Sequence, residues 1–216
     1  MLSDARRRLA ALTFALSISV LVILAVAVRG GPTVLDVTDP RLVALRVGPV
    51  DALLDAADLA GSLPLWAGAV ALLTVALART KLRLGGEAFV VAVGAEIAAT
   101  AIKAVVGRAR PPGAELSDLL VAAGFPSGHV TRTAVLIGLV IALAPWAQRR
   151  PRLAIALGLV AVALVGLARV SSAAHFTSDV LGACLLAAAI LAGWRWISSS
   201  ADARAPAPTL SPAAGT

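Results

Sequence analysis

The sequence predicts an all-α, polytopic membrane protein: a bundle of six transmembrane helices. Three observations predict it. Of 216 residues, 59% are hydrophobic and 14% charged, against about 25% charged in ordinary soluble domains, and the mean hydropathy is +0.92. The apolar residues form long, continuous runs that suit membrane spans. Lys and Arg collect at the ends of those runs, in the alternation that the positive-inside rule requires. A transmembrane barrel would need short alternating segments, and an open sheet would leave backbone groups unsatisfied in lipid. The length fits one bundle domain.

Residues 1–8 form a basic start with Arg6, Arg7 and Arg8, expected to be cytoplasmic. Leu9 to Val28 is the first span. It is longer than a signal-peptide core of about 7–15 residues and shows no clear small-residue cleavage site, so it reads as a retained helix. Arg29 to Ser62 is polar and acidic, broken by Pro32, Pro40 and Pro49. Within it, Val43 to Leu59 reads either as a short amphipathic helix at the membrane surface or as a loop across the bundle top. Leu63 to Ala78 is the second span, and Arg79, Lys81 and Arg83 form a basic turn. Glu87 to Val106 is the third span. A connection rich in Gly, Pro and charge runs from Gly107 to Phe125. Gly128 to Trp146 is the fourth span, Leu153 to Ser171 the fifth and His175 to Ile197 the sixth, with a basic turn from Gln148 to Arg152. The bundle domain thus covers 9–197. The tail 198–216, rich in Ala, Pro and Ser, is expected to be disordered and cytoplasmic.

The formal charge of +7 does not imply a nucleic-acid partner. The basic residues mark span ends, and no basic face interleaved with aromatics occurs. They read as topology signals and anionic-lipid contacts. Cys184 is alone inside an apolar run, which excludes a disulfide or zinc pattern and reads as packing. Trp194 and Trp196 flank Arg195 as an interfacial anchor. Glu96 lies two turns below Lys103 on the same helix face, either paired within the bundle or at the floor of a polar pocket.

With both chain ends inside, the loop 29–62, the connection 107–125 and the junction near 171–175 all fall on the outer face. Arg108 and Arg110 there run against the positive-inside rule, so they serve something other than topology. The active site is therefore expected at the outer membrane face. At Gly124 to His129, read Gly-Phe-Pro-Ser-Gly-His, Pro126 stops the preceding segment, Ser127 suits a helix cap and Gly128 leaves the backbone bare. A helix N-terminus with free amides is an anion site, and His129 in its first turn can move a proton. The second of the two histidines, His175, precedes Asp179 by four residues, on one face if both are helical. The carboxylate can accept one ring N–H and leave the other nitrogen as a nucleophile. Lys103, Arg110 and Arg169 read singly as snorkelling or lipid-binding cations. Together with the Ser127 hydroxyl and the Gly128 amide they suit the charge of a phosphoryl group in transfer. No acidic cluster of metal-ligand type accompanies them, so no metal or other cofactor is expected.

Lys103, six residues, Arg110-Pro111; then Pro126-Ser127-Gly128-His129; then Arg169, five residues, His175, three residues, Asp179: this series resembles the type 2 phosphatidic acid phosphatase superfamily. Those six-span lipid phosphatases share their phosphate site with vanadium haloperoxidases. The resemblance covers about Glu87 to Trp194. It implies that His175 is the nucleophile forming a phosphohistidine, that Asp179 orients it, and that His129 is the general acid. Lys103, Arg110, Ser127, Gly128 and Arg169 would bind phosphate. The family usually has Ser before the third-motif Arg, where this chain has Ala168, with Ser171 or Ser172 as candidate replacements.

The expected activity is metal-independent hydrolysis of a lipid phosphate or diphosphate in the cell membrane. Undecaprenyl diphosphate, phosphatidylglycerol phosphate and phosphatidic acid are the candidates. A lipid phosphotransferase would use the same intermediate. A lipid-phosphate binder or transporter is the non-enzymatic alternative; no internal repeat favours a transporter, and a His–Asp pair has no purpose in a simple binder. Oligomeric state is not encoded in any motif.

Overall fold

The computed structural model describes residues 2–36, 46–112, 114 and 123–204. They form helices α1 (Leu2–Val28), α2 (Gly48–Ala60), α3 (Leu63–Ala78), α4 (Leu82–Val106), α5 (Gly128–Leu143), α6 (Pro145–Arg149), α7 (Pro151–Ser171) and α8 (Thr177–Arg204). No strand occurs among the described residues.

Four helices, α1, α4, α7 and α8, are long and apolar enough to cross a membrane. A fifth crossing arises if α2 and α3, bent by 58° at their junction, count as one. Two of the six expected spans are short helices. Helix α3 alone has 16 residues, about 24 Å at 1.5 Å per residue, short of the hydrocarbon thickness of about 30 Å. Helix α5 also has 16 residues and stops at Ala144, whose ψ of 129° is extended. Pro145 lacks an N–H and disfavours a helical residue before it, so the expected run to Trp146 breaks into α5 and α6. Helix α8 runs through 198–204, the first part of the stretch expected to be disordered. Residues 205–216 lie outside the described set, as do 37–45, 113 and 115–122.

Helix α5 is central and packs against α3, α4, α7 and α8, while α1 lies along α8. The main core joins Trp66, Val70 and Leu77 of α3, Ala88, Val91, Ala92 and Ala95 of α4, Val135 and Leu139 of α5, and Ala187 of α8. A second cluster holds Leu21 and Val28 of α1 with Ala99, Phe125 and Leu186. Large apolar side chains point outward instead, among them Leu12, Leu16, Ile23, Leu72, Ile97 and Leu159. Small residues between helices with bulky ones outside are the pattern of packing in lipid, where close backbone approach replaces the hydrophobic drive.

The basic ends of the helices meet at one end of the bundle. Arg6 of α1, Gln148 of α6, Pro151 of α7 and Trp194 and Arg195 of α8 line one cleft there, and the Trp194 indole donates to Glu87 near the start of α4 at 3.0 Å. The C-termini of α4 and α7 and the N-termini of α5 and α8 consequently meet at the opposite end.

Helix α8 approaches the Gly124–Ser127 segment through Gly182. A Cβ at that position would run into the ring of Phe125, which is fully buried. Gly182→Ala should lower stability by about 1–3 kcal/mol through overpacking. Gly86→Ala, where a Cβ meets open space, should be neutral or slightly stabilising. Thermal unfolding of the two variants in detergent checks the difference.

Candidate active site

Helix α4 ends at Gly107, whose φ of 63° is left-handed and whose N–H bonds the Lys103 carbonyl at 2.9 Å. Glycine adopts this cap without a Cβ penalty. The turn sends Arg108 and Arg110 back across the bundle end. Lys103, in the last helical turn, is buried, and its Nζ donates to the Ala123 carbonyl at 3.0 Å. Gly124 N donates to the Arg108 carbonyl at 2.7 Å, which joins the two ends of the connection. Arg110 passes beside Gly124.

Helix α5 begins immediately after Ser127, with His129 in its first turn, as expected. The Ser127 side chain does not cap the helix. Its Oγ is buried and has no hydrogen-bond partner among the described residues, so a hydroxyl is held ready beside uncapped amides. Ser127 N donates to the Asp179 carbonyl at 3.1 Å, which fastens this segment to the start of α8.

The third segment forms a tight turn at the end of α7. Ala173 has a φ of 54°, and the N–H groups of Ala174 and His175 both donate to the Arg169 carbonyl at 3.1 Å. That turn fixes His175 relative to Arg169. It also corrects the expectation that His175 and Asp179 share a helix. His175 lies in the turn and α8 begins at Thr177, because the left-handed residue and the bonds back to Arg169 use up the backbone that a helix would need. The pair still forms: His175 Nδ1 is 3.4 Å from Asp179 Oδ2, and the same oxygen accepts the Phe176 N–H at 2.9 Å. Burial pushes the His175 ring down to about 4, against Asp179, which pulls it up. The ring is therefore neutral at ordinary pH, with Nδ1 directed at the carboxylate and Nε2 carrying a lone pair.

All eight candidate residues gather at this end of the bundle. Lys103 feels the charges of Arg110, Asp179, Arg132 and Glu96. His129 feels Arg169, Asp58, Arg132 and His175. Glu96 pairs within the bundle, accepting two bonds from Arg132 at 2.8 and 2.6 Å. Ala168 is fully buried, and only its carbonyl is used. Ser171 Oγ donates to that carbonyl and Ser172 Oγ to the Arg169 carbonyl, both at 3.2 Å. Both hydroxyls are turned to backbone carbonyls at the end of α7.

The sequence reading did not foresee what surrounds these groups. Arg108 Nη1 donates to Asp179 Oδ1 at 2.5 Å and to Ser178 Oγ at 2.6 Å, while Nη2 donates to Asp36 Oδ2 at 2.6 Å. Its guanidinium also lies over the Phe176 ring, 4.3 Å from the centroid. Asp36, from the acidic segment after α1, accepts further bonds from Ser178 and Thr33. Burial acts to raise the Asp36 carboxyl, but the bonds from Ser178, Thr33 and Arg108 outweigh it and bring it down to about 2. Asp58 of α2 accepts two bonds from Arg169, at 2.8 and 2.9 Å. The signal for Arg108 was its breach of the positive-inside rule. Asp36 and Asp58 gave none beyond the acidity of their segment.

An apolar helical bundle that gathers a neutral histidine, a carboxylate beside it and several cations at one end suits a membrane-embedded site for phosphate. The PAP2 superfamily pattern matches residues 85–202, more than half of the chain, and the chain belongs to that superfamily. It is a phosphatase and a multi-pass membrane protein. The fold is similar to that of a crystal structure described as the first transmembrane PAP2 type phosphatidylglycerolphosphate phosphatase from Bacillus subtilis. The TM-score is 0.66 at 19% identity, covering 88% of this chain and 96% of that one. No curated protein sequence matches the chain.

Arg108→Met leaves two buried carboxylates without their shared cation. Breaking such a pair costs about 3–5 kcal/mol, so this variant should unfold at markedly lower temperature than wild type. A second prediction concerns acid. The His175 value is depressed from 6.5 to about 4 in the folded protein, so the unfolded chain binds the extra proton between those values and stability falls as pH drops through that window. His175→Gln removes this component. The stability difference between pH 7 and pH 4.5 should be smaller in that variant than in wild type, measured by thermal unfolding.

Proposed function

We propose that this phosphatase hydrolyses a lipid phosphate or diphosphate at the extracytoplasmic leaflet of the cell membrane, without a metal, through a phosphohistidine on His175. The observation that carries the reading is the His175–Asp179 pair, with Nδ1 at the carboxylate, inside a ring of cations from three separate segments. His175 Nε2 attacks the terminal phosphorus, the N–P bond forms, and the P–O bond to the lipid ester oxygen (in a diphosphate, to the bridging oxygen) breaks. The electron pair leaves with that oxygen, which takes a proton from His129. Water then attacks phosphorus, the N–P bond breaks, and the proton of that water goes to His129. Lys103, Arg110, Arg169, Ser127 Oγ and the Gly128 amide hold the equatorial oxygens.

The six-span topology belongs to this reading: α2 with α3 as one bent crossing, or α3 alone, and α5 as a short crossing thinned at its site end. The cleft of basic ends faces the cytoplasm under the positive-inside rule. That puts the opposite end, with the site, outside. The neighbouring fold's phosphatidylglycerolphosphate activity supports that substrate class, beside undecaprenyl diphosphate and phosphatidic acid.

Phosphate release by purified protein in detergent, with EDTA present, tests the proposal on all three lipids. Wild type should turn over at least one of them, and His175→Ala should lose at least about 10³-fold, the scale on which removing a nucleophile acts. Wild-type-like release by His175→Ala would sink the nucleophile assignment, and loss of activity in EDTA would sink the metal-free reading.

A further inference from the structure

We propose that Asp58 is a positioning residue for this reaction, setting Arg169 and His129 relative to each other; the inference rests on the phosphatase reading above. Asp58 lies on α2, outside the matched region 85–202. Arg169 Nη1 donates to both of its oxygens, and Asp58 Oδ1 is 4.0 Å from His129 Nε2. One carboxylate thus touches the guanidinium that would hold the phosphate and faces the ring that would protonate the leaving oxygen. Its grip on Arg169 is confined to Nη1. Arg169 Nε is buried with no hydrogen-bond partner among the described residues, so the Nε edge of the fork stays available to an incoming phosphate oxygen.

Two features make α2 stiff enough for this role. Gly61 faces His129 so closely that a Cβ there would stand 3.0 Å from His129 Cβ and 3.1 Å from Cδ2, so the backbone at the end of α2 supports the ring directly. Arg46 clamps α2 to the end of α7: Nη1 donates to Asp51 and Asp55, Nε to Ser171 Oγ and Nη2 to the Ala168 carbonyl. Asp51, Asp55 and Asp58 recur at helical spacing, which turns one acidic face of α2 toward these arginines. The groups facing His129 are Arg169 from α7, Arg132 from α5 itself, His175 from the turn before α8, and Asp58. Among them Asp58 alone brings negative charge, so it is the side chain there that can hold the Arg169 guanidinium and the His129 ring toward a common point.

The experiment compares full-length wild type, Asp58→Asn, Asp58→Glu, Gly61→Ala and Gly86→Ala in detergent. Turnover is measured on phosphatidylglycerol phosphate, whose alkoxide needs a proton, and on p-nitrophenyl phosphate, whose phenolate leaves without one. Inhibition by inorganic phosphate reports on Arg169. In Asp58→Asn the alkyl-to-aryl activity ratio should fall by roughly tenfold or more, within the range that general acids contribute, and phosphate inhibition should weaken several-fold. Asp58→Glu should recover part of both, and Gly86→Ala, where a Cβ meets open space, should match wild type. Gly61→Ala, which presses on the ring and leaves the Arg169 pair intact, should lower the ratio without changing phosphate inhibition; it carries the test should Asp58→Asn not fold. A folded Asp58→Asn that loses both activities in equal proportion with unchanged phosphate inhibition, or loses neither, overturns the proposal. A Gly61→Ala variant with the wild-type ratio counts against it too. Wild type inactive on both substrates overturns the phosphatase reading itself, a result separate from either of these.

Discussion

The site depends on one carboxylate. Asp179 divides its two oxygens between Arg108 and the pair formed by His175 and the Phe176 amide, and its backbone carbonyl takes the Ser127 N–H. Its side chain is fully buried in an apolar bundle. A charge in that setting is costly unless it is partnered and hydrogen-bonded. Arg108 supplies the counter-charge, and Arg108 in turn requires Asp36, whose remaining valences are filled by Thr33 and Ser178. The row His175–Asp179–Arg108–Asp36 therefore runs from the start of α8, through the turn after α4, to the segment that follows α1. Three stretches far apart in sequence are held by alternating charge.

That row explains why a neutral, oriented imidazole persists at a polar end of a membrane bundle. Asp179 alone beside His175 would favour a protonated ring. Burial of the imidazole disfavours the cation, and the charges of Lys103 and Arg169 do the same, while Arg108 occupies the other Asp179 oxygen. The histidine is left neutral with Nδ1 at the carboxylate, the arrangement the proposed nucleophile requires. The geometry is set by hydrogen bonds to backbone as much as by side chains: the turn through Ala173 ties His175 to the Arg169 carbonyl.

The sequence revealed those parts of the molecule in which spacing along the chain reports spacing in three dimensions. Apolar runs located the helices, and the motif around His129 located the start of α5. An error of extent came from a local breaker: Pro145 ends α5 early. The placement of His175 went wrong for a related reason. A four-residue spacing to Asp179 fits a helix, but the left-handed Ala173 makes a turn that reaches the same carboxylate. Long-range partners left almost no trace. Nothing in the pattern around Asp36 or Asp58 distinguishes them from Asp51 or Asp55, because a buried ion pair between distant segments has no periodicity. Arg108 alone announced itself, as a positive charge on the wrong side.

The candidate groups also sit where helix dipoles reinforce them. Lys103 and Arg169 lie in the last turns of α4 and α7, where the backbone carbonyls carry partial negative charge. Ser127 and Gly128 open α5, where uncapped amides carry partial positive charge, and Asp179 lies in the first turn of α8. Cations at helix C-termini and uncapped amides at a helix N-terminus match the local dipoles, so the candidate groups of the matched half, within 85–202, are favoured by the helices that carry them. What comes from outside that half is the acidic segment with Asp36 and the helix bearing Asp58, which close over it from one side. A division follows from the physics. The matched half carries the candidate groups, while the elements outside it supply Asp36 and Asp58, the carboxylates that hold Arg108 and Arg169.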